Sequence, residues 1–190
     1  MKRVHWIAVA LLGLMLGMLV GWLWREYQQP VASTELSISP ALAQLPTFQY
    51  ADLDGELRRS TEWYDQILVL NFWATWCPPC RKETPMFVDL QAQYQAAQVQ
   101  FVGIAVDDPE QVRTFADTYG VNYPVLLGDL TAMRLARQLG NRFEALPYTL
   151  VAGPGGKVVF RQQGEVHRET LEPILQQLIT ESADQGLRHK

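Results

Sequence analysis

Apolar and polar positions divide the chain into three stretches. The first is an unbroken apolar run from Trp6 to Trp24, with Lys2 and Arg3 before it and Arg25 and Glu26 after it. A helix of about 19 residues crosses roughly 30 Å of hydrocarbon, so residues 1–25 read as a membrane anchor. Trp6, Trp22 and Trp24 lie at the ends of the run, where amphipathic rings favour the headgroup level. The positive charge ahead of it favours a cytoplasmic N-terminus, with the rest of the chain outside. The rival is a cleaved signal peptide, whose apolar core is usually about 7–15 residues with a small-residue cleavage site close behind. The small "ALA" at Ala41 to Ala43 lies well beyond the run, which favours an uncleaved anchor. No cysteine follows the run, so a lipid-modified cysteine is excluded. Gly13, Gly17 and Gly21 share one helix face of the kind that lets membrane helices approach closely, although glycine is common in such helices anyway.

Residues 26–44 turn polar and small, with two prolines and no strong periodicity, and read as a tether. Residues 45–182 then carry the pattern of one domain, with 183–190 as a tail. Thr47–Tyr50 and Glu56–Arg59 flank Asp54-Gly55, a hairpin signal. Ile67–Phe72 is a continuous apolar run, as in a strand buried on both faces. Arg81 to Gln98 reads as a helix, kinked at Pro85, with Met86, Phe87, Leu90 and Tyr94 at helical spacing. Val99–Val106 is a second buried strand, and Pro109 to Tyr119 a helix with proline in its first turn. A short strand in "YPVLLGD", a helix over Thr131–Leu139, two strands around "GPGG" and a helix from His167 to about Glu181 complete the series. Strands alternating with helices predict an α/β domain with a mostly parallel central sheet, plus an antiparallel edge from the last hairpin.

Charge narrows the function. From Tyr27 on, 13 basic residues face 19 acidic ones, a net charge of −6, which argues against nucleic acid. Cysteine narrows it further. Cys77 and Cys80, in "NFWATWCPPCRKETP", are the only two in the chain. A structural staple gains little by closing so small a loop, and a domain this size needs none. A zinc site needs about four ligands, and His5, His167 and His189 show no ligand spacing; His167 reads as an ordinary residue at a helix start. A redox pair remains. Cys77 opens a helix, where unpaired N–H groups and the helix dipole favour a thiolate. Cys77 is then the attacking thiol and Cys80 the resolving one. Pro78 and Pro79 have no N–H, so the Cys80 N–H becomes the remaining donor to the Cys77 sulfur.

At this point the segment "VLNFWATWCPPCRKETP" resembles the active-site region of the thioredoxin superfamily. More narrowly, it resembles the membrane-tethered TlpA/ResA/CcmG (DsbE) branch of bacterial thiol–disulfide oxidoreductases. The similarity covers roughly Leu45 to Thr180 and includes "LPYT" before the penultimate strand. It implies a thioredoxin-like fold: a central mixed sheet flanked by helices, with an N-terminal β-hairpin and a strand–helix insertion between about Phe101 and Leu139, preceded by one transmembrane helix. It implies that Pro147 is a cis-proline facing the cysteines, and that Leu146, Trp76, Pro78 and Pro79 border the substrate groove, with Trp73 in the core. Asn71 stands where thioredoxin has a titratable Asp. Glu83, three residues after Cys80, matches a carboxyl that serves the proton chemistry of the second cysteine in the ResA-like branch; the other reading is a solvated glutamate. Asp107 matches a further acidic position, or is a helix cap.

The resemblance further implies an inner-membrane protein, N-terminus cytoplasmic and catalytic domain periplasmic, with no cofactor and no metal. Its expected partners are protein disulfides, apocytochrome c among them, and a membrane electron donor of the CcdA or DsbD type. A thiol oxidase, a thiol peroxidase of the same fold and a non-catalytic tethered binding module are the rival functions.

Overall fold

The computed structural model describes residues 42–188, together with Met15 and Met18, and the side chains as far as residue 184. The expected anchor and most of the tether lie outside the described residues. Among the described residues no helix is long and apolar enough to cross a membrane. The last tether residues, 42–44, belong to the domain: Gln44 bridges to Lys157, and Leu45 N–H donates to Gly156 O at 2.8 Å.

The elements run in chain order as β1 (Gln49–Asp52), β2 (Leu57–Arg59), β3 (Ile67–Trp73), α1 (Pro78–Tyr94), β4 (Val99–Ala105), α2 (Pro109–Tyr119), β5 (Val125–Leu127), α3 (Leu130–Gln138), β6 (Tyr148–Ala152), β7 (Val158–Gln163) and α4 (Arg168–Arg188). This is the expected succession. Three helix boundaries differ by more than one residue; α1 ends at Tyr94 rather than Gln98, and a single 3-10 turn, Gln95–Ala97, follows it. Helix α1 starts at Pro78, not Arg81, because the first turn of a helix needs no N–H and proline fits there. Helix α4 continues to Arg188, beyond the Glu181 expected.

The seven strands form one sheet in the order β2-β1-β5-β4-β3-β6-β7. It is mixed rather than mostly parallel. The pairs β3–β4 and β4–β5 are parallel, whereas β3–β6, β6–β7, β1–β5 and β1–β2 are antiparallel. Alternation of strand and helix fixes the parallel centre but says nothing about where a terminal hairpin docks. Here the first hairpin extends the sheet beside β5.

All seven residues of β3 are buried, as its apolar run predicts. Side chains alternate across a strand. Leu68, Leu70 and Phe72 enter one core with Leu135, Ala136 and Leu139 of the α3 region. Ile67 and Val69 enter another with Phe87 and Leu90 of α1 and Leu171 and Leu175 of α4. The same parity turns Asn71 and Trp73 toward the α1 and α4 side, where a polar side chain needs a partner.

Candidate active site

Strand β3 ends at Trp73, and a short loop, Ala74–Trp76, delivers Cys77 as the N-cap of α1. Cys77 and Cys80 form a disulfide with Cα atoms 5.3 Å apart. The Cys80 N–H donates to the Cys77 Sγ at 3.3 Å, the one bond that the two prolines leave open. The disulfide sits in an apolar cluster with Trp73, Ala105, Val112, Phe115 and Val125, and Leu146 packs against it. Cys77 is 2% exposed and Cys80 1%, whereas Trp76 directly before them is 65% exposed. Trp73 is buried, as expected, with its ring 4.7 Å from that of Phe115.

The Leu146–Pro147 bond is cis, in line with what the resemblance implied. Asn141 ties this loop down, donating to Ala145 O at 2.9 Å and accepting from Ala145 N–H at 3.1 Å.

Glu83 is no surface residue of the "RKE" run. It lies one turn beyond Cys80 on α1, 3% exposed. Its Oε1 accepts from Asn71 Nδ2 at 2.9 Å, and its Oε2 from the Val166 N–H at 3.0 Å. Asn71 Nδ2 also donates to Thr149 Oγ1 at 2.9 Å. Burial pushes the Glu83 carboxyl up to about 8; the bonds from Val166 and Asn71 pull the other way, and nearby Glu165 adds to the rise. Such a carboxyl exchanges protons near neutral pH, which an ordinary glutamate does not.

Asp107 lies on the loop beside Cys77, at the acidic position the resemblance implied, and is not the helix cap. The cap of α2 is Asp108, which accepts from the N–H groups of Glu110 and Gln111. Asp107 instead accepts from the Thr75 N–H at 2.9 Å and from the Thr75 hydroxyl, and so holds the loop that carries Trp76 and Cys77. Burial pushes its carboxyl up, but the hydrogen bonds from Thr75, Asp108 and Trp76 outweigh this and hold it below the usual range. It stays ionised and serves position, not proton transfer. His167 is exposed at the start of α4.

Three members of the site escaped the sequence reading: Thr149, the Val166 N–H and the Thr75 hydroxyl. A threonine inside "YTLVA" is a faint signal. A backbone N–H in a turn 83 residues away from its acceptor gives none.

The AhpC/TSA family model matches residues 42–161. The chain is 37% identical over 126 residues to the thioredoxin-like protein YneN of Bacillus subtilis, covering 64% of this chain and 71% of that one. It is 30% identical over 134 residues to the thiol-disulfide oxidoreductase ResA of Geobacillus thermodenitrificans, covering 70% and 75%. Among solved structures, a thiol:disulfide interchange protein of the thioredoxin family from Chlorobium tepidum shares 27% identity with a TM-score of 0.64, covering 72% of this chain and 96% of that one. With a C-x-x-C disulfide opening the helix after the central strand, the chain belongs to the AhpC/TSA family, has a thioredoxin-like fold, and is a thiol–disulfide oxidoreductase.

Proposed function

We propose that this oxidoreductase works as a reductant of protein disulfides on the periplasmic side of the inner membrane, held there by residues 1–25. Apocytochrome c, with its cysteine pair awaiting haem, is the foremost substrate. A membrane donor of the CcdA or DsbD type returns the electrons. The observation that carries the reading is the Cys77–Cys80 pair at the start of α1 with Glu83, a buried carboxyl, fixed one turn behind it.

In the reduced protein the Cys77 thiolate attacks one sulfur of the substrate disulfide. A mixed disulfide forms and the first substrate thiolate leaves. Cys80 must then lose its proton to attack the Cys77 Sγ. Glu83, one turn further along α1 and pushed up to about 8 by burial, is the group that takes it. The second substrate thiolate leaves, and two electrons have passed from the cysteine pair to the substrate. Trp76 and Leu146 border the disulfide and receive the substrate backbone.

The test is the reduction potential of the full chain in mild detergent, equilibrated in thiol–disulfide buffers and read by tryptophan fluorescence. A value near roughly −270 mV, that of thioredoxin, marks a reductant that needs a donor. A value near roughly −120 mV marks an oxidase and overturns the proposal.

A further inference from the structure

Thr75 and Trp76, the two residues before Trp76's neighbour Cys77, also form the near end of an open groove of about 530 Å³. Its long wall is one face of α2, from Glu110 to Tyr119. A pocket of this size is in the range that holds ligands. Neither the hydrogen bonds that hold the loop nor the proton transfer at Glu83 uses it.

Its chemistry is that of a polypeptide site. The Thr114 hydroxyl donates to Glu110 O at 2.9 Å, and the Thr118 hydroxyl to Thr114 O at 2.6 Å. Their protons are spent on the helix itself, which leaves each oxygen able only to accept, and both residues line the groove. Residues four apart on a helix are separated by about 6 Å along its axis. Residues two apart on an extended chain are separated by about 6.6 Å, with N–H groups on the same side. The two oxygens therefore match the N–H spacing of a strand laid along α2. The walls beside them are aromatic. Phe115 and Tyr119 stack with centroids 4.2 Å apart, and Trp76 stands exposed at the mouth. Arg81 fixes the far side by donating to the Tyr119 hydroxyl at 3.3 Å.

We propose that the groove between Trp76 and α2 is a substrate subsite, which seats in extended form the polypeptide segment flanking the cysteine that Cys77 attacks. Continuity names the occupant: a chain bonded through sulfur to Cys77 passes Trp76 and enters the groove within a few residues. The aromatic walls select an apolar or aromatic side chain in that segment. The inference rests on the oxidoreductase reading above and adds to it a rule of substrate choice.

The experiment compares two disulfides with the reduced full chain. One is a peptide of about 12 residues with an internal disulfide; the other is 5,5′-dithiobis(2-nitrobenzoate), too small to reach α2. The quantity read is the ratio of their second-order rate constants. Thr114→Trp fills the groove, and the ratio is expected to fall by about tenfold or more. The double variant Thr114→Ala, Thr118→Ala removes both acceptors while improving helix propensity, so misfolding does not explain its result. Its ratio is expected to fall by about tenfold. An unchanged ratio in both variants overturns the subsite. So does an equal fall in both rate constants, which marks an effect on the cysteines themselves. A matching fall for glutathione disulfide also overturns it, because the occupant is then a small thiol. A wild-type chain inert toward every disulfide overturns the oxidoreductase reading instead, and the two failures are told apart.

Discussion

Replacing Glu83 by glutamine should change stability in opposite directions at the two ends of the pH range. The Glu83 carboxyl titrates at about 8 in the folded oxidised protein, against 4.5 when exposed. Below pH 4.5 it is protonated in both states and costs nothing. Between 4.5 and about 8 the unfolded chain releases the proton while the folded one keeps it, so stability falls steadily as pH rises. Above 8 the folded state holds a buried carboxylate. The full loss is then about 5 kcal/mol. Glutamine does not titrate, so Glu83→Gln removes this whole slope. It also has a cost. Asn71 can still donate to the amide oxygen, but the Val166 N–H then faces an NH2 group, a mismatch of about 1–3 kcal/mol. The variant should be less stable than the wild type by about 1–3 kcal/mol at pH 4, where the carboxyl is protonated in both states. At pH 9 it should be more stable by about 2–4 kcal/mol, the lost slope less the mismatch. Urea denaturation of both oxidised chains in mild detergent at several pH values measures this directly. Two stability curves that stay parallel from pH 5 to 9 would refute the reasoning, because Glu83 would then titrate as an ordinary surface glutamate.

Three further outcomes are expected. Cys80→Ser should trap Cys77 as a mixed disulfide with its substrate, visible as a higher-mass band on non-reducing gels that Cys77→Ser does not give. Asn71→Leu removes one of the two donors to Glu83 and leaves Thr149 Oγ1 without its partner; it should destabilise the protein by about 1–3 kcal/mol and move the Glu83 titration further up, followed by carboxyl NMR. In Gly103→Ala the new Cβ would stand 2.7 Å from Trp73 Nε1, in a core packed from both sides of the sheet; thermal unfolding should show a loss of about 1–3 kcal/mol, with an altered Trp73 emission.

The order of elements was legible because each had its own signal: a run apolar but for Asn71 for β3, helical spacing for α1, Asp54-Gly55 for the first hairpin. The cysteine pair was legible because its neighbours, strand before and helix after, dictate its chemistry. What escaped was non-local. The place of the first hairpin beside β5 depends on which sheet edge stays open, and no local pattern records that. Asn71 cannot titrate, and its work is to hold a residue that can. That role needs Glu83, Asn71 and Thr149 side by side, from α1, β3 and β6. Asp107 illustrates the limit within a single loop. Two aspartates in succession compete for one cap, and the backbone turn gave it to Asp108.

The Cys77 sulfur caps α1 as well as carrying the chemistry. An oxidised sulfur is a weak acceptor, and a thiolate is a strong one. Each time electrons arrive, the start of the helix is therefore held more firmly, and each time they leave it is held less. The redox cycle is written into the local stability of the first turn of α1. Amide hydrogen exchange at Cys80 thus reads the charge on Cys77 from the next turn of the chain, with no label on the sulfur itself.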